Sequence, residues 1–282
     1  MSDPQTESSP VRRNVTPVRV ITVGQGQRAE RPDAVATEEP MEIRVAGPGQ
    51  LARSVAVTMR TPGADMELAA GFLLTEGMIR PGDVRLVAYC DDLDGEEQLY
   101  NVVTVTLSKP FDFDRLNRNF FATSSCGICG KAALDDVQVH CSPVGPGPEV
   151  AASVMVGLPD ELRKRQKVFD RTGGLHAAGL FTSAGELVSL REDVGRHNAV
   201  DKVIGEQLLA DHLPLGERVL QVSGRSSFEI VQKAAVAGIP IVAAVGAPSS
   251  LAVEAGERLG ITVVGFVRDG RLNIYTHPER IA

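Results

Sequence analysis

The sequence predicts an α/β protein, with a small α+β unit followed by a larger three-layer α/β unit and a cysteine-bearing loop between them. Three observations carry this reading. In the second half, short apolar strands alternate with helical stripes, as in a sheet covered on both faces. In the first half, period-two segments surround a single helical one. Between them, residues 117–150 are rich in Ser, Gly, Asn and Pro and hold three of the four cysteines. The expected organisation is therefore a disordered tail over 1–17, an α+β unit over 18–116, a loop or linker over 117–150 and an α/β unit over 151–282.

Composition bounds the class. The chain has 282 residues, 29 Lys+Arg against 36 Asp+Glu, 43% hydrophobic residues and 4% aromatics. That suits one large domain or two modest ones and excludes wholesale disorder. The 28 glycines and 17 prolines follow no three-residue period, which excludes a collagen-like chain. No stretch approaches the ~20 uncharged apolar residues of a membrane helix. The first residues lack a signal-peptide pattern, so a cytoplasmic protein with reduced, chemically used cysteines is expected. A net charge of −7 argues against a nucleic-acid coat.

Taken in order, residues 18–23, 41–45 and 54–59 read as strands, the last closed by Thr61, Pro62 and Gly63. Asp65 is placed to cap a helix with Met66, Ala69, Phe72 and Leu73 on one face. Residues 101–107 alternate, with Val103, Val105 and Leu107 on one side. Beyond the linker, 158–169 reads as a charged helix, and 178–181 and 187–190 as strands. A helical stripe follows over 199–209, then a strand over 218–222 and a helix over 228–237. The strand 241–245, the helix 251–259 ended by Gly260, and the strand 261–266 continue the alternation. Asp269-Gly270 turns a hairpin into 272–275.

Four constellations bear on chemistry. Cys126-Gly127-Ile128-Cys129 sits among glycines and serines with Lys131 close by, a setting that favours an accessible thiolate. A thiolate is the nucleophile of sulfur transfer and disulfide exchange, and a second thiol can resolve the intermediate. Zinc would need two more ligands, and the nearby candidates, His140 and Cys141, do not match paired-ligand spacing. A zinc deaminase is disfavoured too, because Ser125 precedes the pair and the only H-x-E, at His277, lies after it.

Ser223-Gly224-Arg225-Ser226 joins a strand to a helix. Ser226 and Glu229 stand in capping-box spacing, so that helix is expected to start at Ser226. A second helix start follows the next strand at Ser249, and the pair suggests a crevice for a nucleotide pyrophosphate. Glu192-Asp193-Val194-Gly195-Arg196-His197-Asn198 is dense in polar groups for a turn, the alternative being a solvated helix cap. His176, after Gly173-Gly174, is either a ligand contact or a satisfied core histidine. The run 163–167 reads as a wet helix face.

These motifs together resemble the FdhD family, the formate dehydrogenase accessory sulfurtransferases. The resemblance rests on Cys126-Gly127-Ile128-Cys129-Gly130-Lys131, on Arg171 through Ala178, on Glu192 through Lys202 and on Ser223 through Ser227. It extends to residues 68–77 and to the tail from Gly265 to Pro278, covering the chain from about Pro17 onward. It implies a C-terminal domain of cytidine-deaminase-like fold without zinc chemistry, in a homodimer. It implies a relay in which a cysteine desulfurase gives persulfide sulfur to Cys126, with Cys129 as partner. The sulfur then passes to the molybdenum cofactor, bis-molybdopterin guanine dinucleotide, destined for formate dehydrogenase. Phe266, Val267, Arg268, Asp269, Gly270 and Arg271 match the family's cofactor-binding stretch. Ser223, Gly224, Arg225, Ser226, Arg196, His197 and His176 complete the expected cofactor site. The competing expectations are a non-catalytic chaperone for the same cofactor and a zinc-stabilised regulatory module.

Overall fold

The structure, a computed structural model, describes residues 13–24, 26–90, 100–113 and 142–282. Strands β1 (Val15–Gly24) and β2 (Gln27–Ala36) form a two-stranded antiparallel ribbon paired from Val15↔Ala36 to Gly24↔Gln27. β1 starts at Val15, which is buried, three residues before the strand expected at 18.

A second sheet contains β3 (Glu39–Ala46), β4 (Arg53–Arg60), β5 (Val84–Tyr89) and β6 (Val102–Leu107), in the order β4-β3-β6-β5. β3 and β6 run parallel; the outer pairs are antiparallel. Met41, Ile43 and Val45 from β3, with Val103, Val105 and Leu107 from β6, bury one face. Helix α1 (Asp65–Thr75) covers it with Leu68, Ala69, Leu73 and Leu74, each large side chain contributing about 1.5–3 kcal/mol. Asp65 is not the cap. Ala64 holds that position with φ 57, and the Asp65 carboxylate is drawn inward to Arg60, 2.8 Å away. Both side chains of that pair are fully buried.

The third sheet has the order β12-β11-β10-β9-β7-β8. Its centre is parallel, made of β9 (Val219–Val222), β10 (Ile241–Ala244) and β11 (Thr262–Arg268). Antiparallel strands flank it: β7 (His176–Phe181) and β8 (Leu187–Asp193) on one side, β12 (Arg271–Ile274) on the other. Alternate residues divide between two cores. Val219, Ile241, Ala243 and Val264 pack with Met155, Leu158 and Leu162 of α2 (Ala152–Arg163). Leu220, Val222, Val242 and Val263 pack with α4 (Arg196–Leu209), α5 (Phe228–Val236) and α6 (Ser250–Leu259). Helices thus cover both faces, as the apolar strands predict.

The single charged helix expected over 158–169 is two. α2 ends at Arg163 and α3 (Lys167–Thr172) begins after a turn. α4 begins at Arg196, one turn before the expected start, because Gly195 is extended and ends the preceding loop. The two halves share one core. α1 crosses α4 where Gly71 meets Gly205: a Cβ on Gly71 would lie 1.9 Å from the Asp201 carbonyl oxygen, and one on Gly205 1.8 Å from that of Glu67. Only two glycines permit that approach.

Candidate functional site

The carboxyl ends of β9, β10 and β11 meet at one edge of the third sheet, and their loops are tied to one another. Gly246 N–H donates to the Gly224 carbonyl, Ser249 N–H to that of Ser226, and Phe266 N–H to that of Gly246, each at 3.0 Å. Both helix starts singled out in the sequence therefore open on the same edge. The first differs in detail. Ser227, not Ser226, caps α5, and no side-chain cap bond forms there. Ser226 bridges to Pro248, and its buried hydroxyl has no partner among the described residues. Ser249 caps α6 as expected, its Oγ accepting from Ala252 N–H at 3.2 Å.

Between this edge, α2 and α3 lies a cleft of about 810 Å³, within the range of small-molecule sites. His176, Ser223, Val267, Arg268, Asp269 and Gly270 line it, so six residues proposed from sequence converge on one wall. The opposite wall is Leu162, Arg163, Gln166 and Phe169, none of which the sequence singled out as a contact. Arg163 stacks 4.7 Å over the Phe169 ring. This wall exists because of the break after α2. The Glu192 carboxylate accepts N–H bonds from Val168 (3.0 Å) and Phe169 (2.8 Å), holding the start of α3 where Lys and Arg alone would continue the helix. Of the run read as a wet face, Arg163, Lys164, Arg165 and Lys167 are exposed, but Gln166 is buried.

His176 also borders a second recess of about 360 Å³ with Arg196 and His197. Burial, then the neighbouring Arg196, lower the His176 pKa against the pull of Asp193. The same two causes push His197 down to about 4, with Glu229 opposing them. Both imidazoles are therefore neutral at pH 7 and act as hydrogen-bonding groups. His197 Nε2 lies 3.2 Å from Ser227 Oγ at the cap of α5.

The other expected residues have distinct places. Gly224 backs onto His176, whose Nδ1 would stand 3.3 Å from a Cβ there. Arg225 is exposed on the β9–α5 loop outside the cleft lining, and Arg271 is exposed on β12 opposite Arg268. Phe266 takes φ 53 at a bulge, with Arg268 5.4 Å from its ring.

Asp193 and Asn198 of the dense polar motif serve the seam between halves, joined there by Asp201 and Lys202. Asp193 pairs with Lys202 at 2.7 Å and accepts from Thr61 N–H at 3.1 Å. Asn198 Nδ2 donates to the Met59 carbonyl at 2.8 Å, and Asp201 accepts from Thr75 Oγ1 at 2.7 Å. Arg196 and His197 line the recess together with Val194, Gly195 and Asn198. Cys126, Cys129, Lys131, His140 and Cys141 lie outside the described residues. Among the described residues, no group of three or more His, Cys, Asp or Glu could hold a metal ion, and no helix is long and apolar enough to cross a membrane.

Comparison with known proteins covers nearly the whole chain. Residues 36–282 match the FdhD/NarQ family profile. A protein of Mycolicibacterium paratuberculosis named sulfur carrier protein FdhD is 52% identical over 93% of this chain and 97% of its own. One of the same name from Streptomyces avermitilis is 50% identical over 94% of each chain. A crystal structure from Desulfotalea psychrophila, described as a formate dehydrogenase accessory protein, superposes with a TM-score of 0.73 at 25% identity, covering 96% of this chain and 100% of that one.

Proposed function

Because the chain belongs to the FdhD/NarQ family, we propose that it is a sulfur carrier in the maturation of formate dehydrogenase. The observation that carries this is likeness over nearly the full length to relatives named sulfur carriers. In this reading the Cys126 thiolate attacks the outer sulfur of a persulfide on a cysteine desulfurase. The S–S bond breaks, the donor thiolate leaves, and the persulfide remains on Cys126 with Cys129 beside it to resolve it.

The substrate that receives the sulfur is the molybdenum cofactor, bis-molybdopterin guanine dinucleotide, with one dinucleotide arm in the cleft of each protomer of a homodimer. The cleft suits an anionic arm. Arg268 lines it without a carboxylate partner among the described residues, Ser223 offers a hydroxyl, and Arg225 stands at the neighbouring loop. The fold of the C-terminal half is read as cytidine-deaminase-like, without a structural or catalytic metal, and the protein as cytoplasmic.

The test is mass spectrometry after incubation with a desulfurase and cysteine. Cys126 gains the mass of one sulfur atom, and Cys126→Ala abolishes formate dehydrogenase activity in cells lacking the native protein. Full activity with the alanine variant would instead favour a non-catalytic cofactor chaperone. Zinc bound stoichiometrically through Cys126 and Cys129 would overturn the relay.

A further inference from the structure

The surface around the cleft carries cations that the fold leaves unmatched. On one side, Arg165 lies in the turn after α2, and Lys167 and Arg171 stand four residues apart on α3, all exposed. On the other, Arg268 and Arg271 pair across the β11–β12 hairpin and are exposed as well. None of them forms an ion pair among the described residues. The carboxylates nearest in sequence are engaged, Asp170 with Arg163 and Glu161 with Lys164. Asp160 and Asp269 border the cleft but are outnumbered. Elsewhere this chain of net charge −7 pairs buried and half-buried cations closely, Arg191 with Glu67 and Glu206, Lys233 with Asp201 and Glu76.

The arrangement works against local stability. Lys167 opens α3, where the helix dipole disfavours a cation, and Lys167 and Arg171 are like charges at i,i+4 spacing. A local rule broken without compensation inside the chain points to a function outside it. A small anion in the cleft does not account for it, because Phe169 of α3 lines the cleft whereas Lys167 and Arg171 do not. Their charge is presented to a body larger than the cleft's contents, and such a patch steers and orients a surface of opposite sign. We propose that this basic rim is a docking surface for an acidic protein face, that of the acceptor enzyme which takes up what the cleft holds. The inference rests on the reading of the chain as a carrier in formate dehydrogenase maturation, and it adds the surface by which the acceptor is met.

Rapid-mixing association kinetics on the full chain test it, with cofactor-free formate dehydrogenase as the probe over a series of salt concentrations. The wild-type association rate falls about tenfold between low and high salt. A variant carrying Arg165→Glu, Lys167→Glu and Arg171→Glu associates about tenfold more slowly at low salt and loses most of that salt dependence. Arg218→Glu, the same charge change just before β9 at the opposite edge of the sheet, leaves the rate within about twofold. Thermal melting separates docking from folding, since an acid in the first turn of α3 holds or raises the melting temperature. Arg171→Glu alone, read in the same way, keeps the test open if the triple variant does not fold. An unchanged rate and salt dependence in the folded variants overturn the proposal, as does equal slowing by Arg218→Glu. Weaker GDP binding with unchanged association gives the rim to the cleft's own ligand, and slowing only toward a cysteine desulfurase gives it to the donor; either overturns it. Absence of wild-type association with the acceptor overturns it too, while persulfide on Cys126 would leave the sulfur-carrier reading standing.

Discussion

The seam where α1 crosses α4 and the cleft beside α3 both concentrate polar side chains, and they treat them in opposite ways. At the seam every charge is matched. Lys202 meets Asp193, Lys233 meets Asp201 at 2.9 Å and Glu76 at 2.8 Å, and Arg60 meets Asp65. In the cleft, Arg268 lacks a carboxylate partner among the described residues, although it borders open space. One sequence motif feeds both regions, because Asp193, Asn198, Asp201 and Lys202 go to the seam while Glu192 holds the α3 wall of the cleft. Polarity in a motif thus says little about role, and pairing in the fold says much more.

The contrast can be broken by substitution. Lys202→Met leaves the fully buried Asp193 without its cation, and removing one partner of such a pair costs about 3–5 kcal/mol. Urea unfolding measures that loss; a cost below 1 kcal/mol would mean the seam is not held by its charges. Gly205→Ala puts a methyl group against the α1 backbone and is expected to cost about 1–3 kcal/mol or more by the same measurement.

Arg268→Ala should do the reverse, changing stability by less than about 0.5 kcal/mol while weakening GDP roughly tenfold. Arg225→Ala shifts GDP affinity in the same direction by less, since Arg225 lies outside the lining. If either arginine variant lowers stability as Lys202→Met does, the two regions are not distinct. The smallest effect concerns pH. His197 is neutral in the fold down to about 4, whereas the unfolded chain takes up a proton near 6.5. Its contribution to stability is therefore intact above pH 6.5 and is lost as pH falls toward 4. Allowing for a ring that is 32% exposed, this amounts to about 1–2 kcal/mol. A His197→Gln variant compared with wild type by thermal melting across that window isolates it, and identical pH profiles would refute the assignment.

Much of the second half was legible in its residues. Continuous apolar strands such as Ile241–Ala244 declare burial on both faces, and Asp269-Gly270 declares its hairpin. β2 was not legible, because Arg28, Glu30, Arg31, Pro32 and Asp33 give it no alternation; it is a strand only because β1 pairs with it. The break after Arg163 was hidden for the opposite reason. Lys164, Arg165 and Gln166 are good helix formers, and the residue that starts α3 anew is Glu192, more than twenty positions away. Seam partners such as Thr61 and Asp193, 132 residues apart, leave no local trace. The cysteine pair is the converse case, being clear in the sequence and outside the described residues.

Among the described residues, the ribbon of β1 and β2 differs from every other strand pair. Both of its faces are largely exposed, with Ile21 and Val23 open to solvent, and it packs chiefly on α3 near Ala36 and Gly174. An isolated hairpin is marginal in water, so among the described sheets this is the one whose opening needs the least free energy. Its amides exchange with solvent hydrogen ahead of those in β9 and β10, and a protease cuts it while the sheets remain folded. Shortening it from the Gly24–Gln27 end, one facing pair at a time, leaves the remaining register unchanged, so its length can be altered without disturbing the cleft.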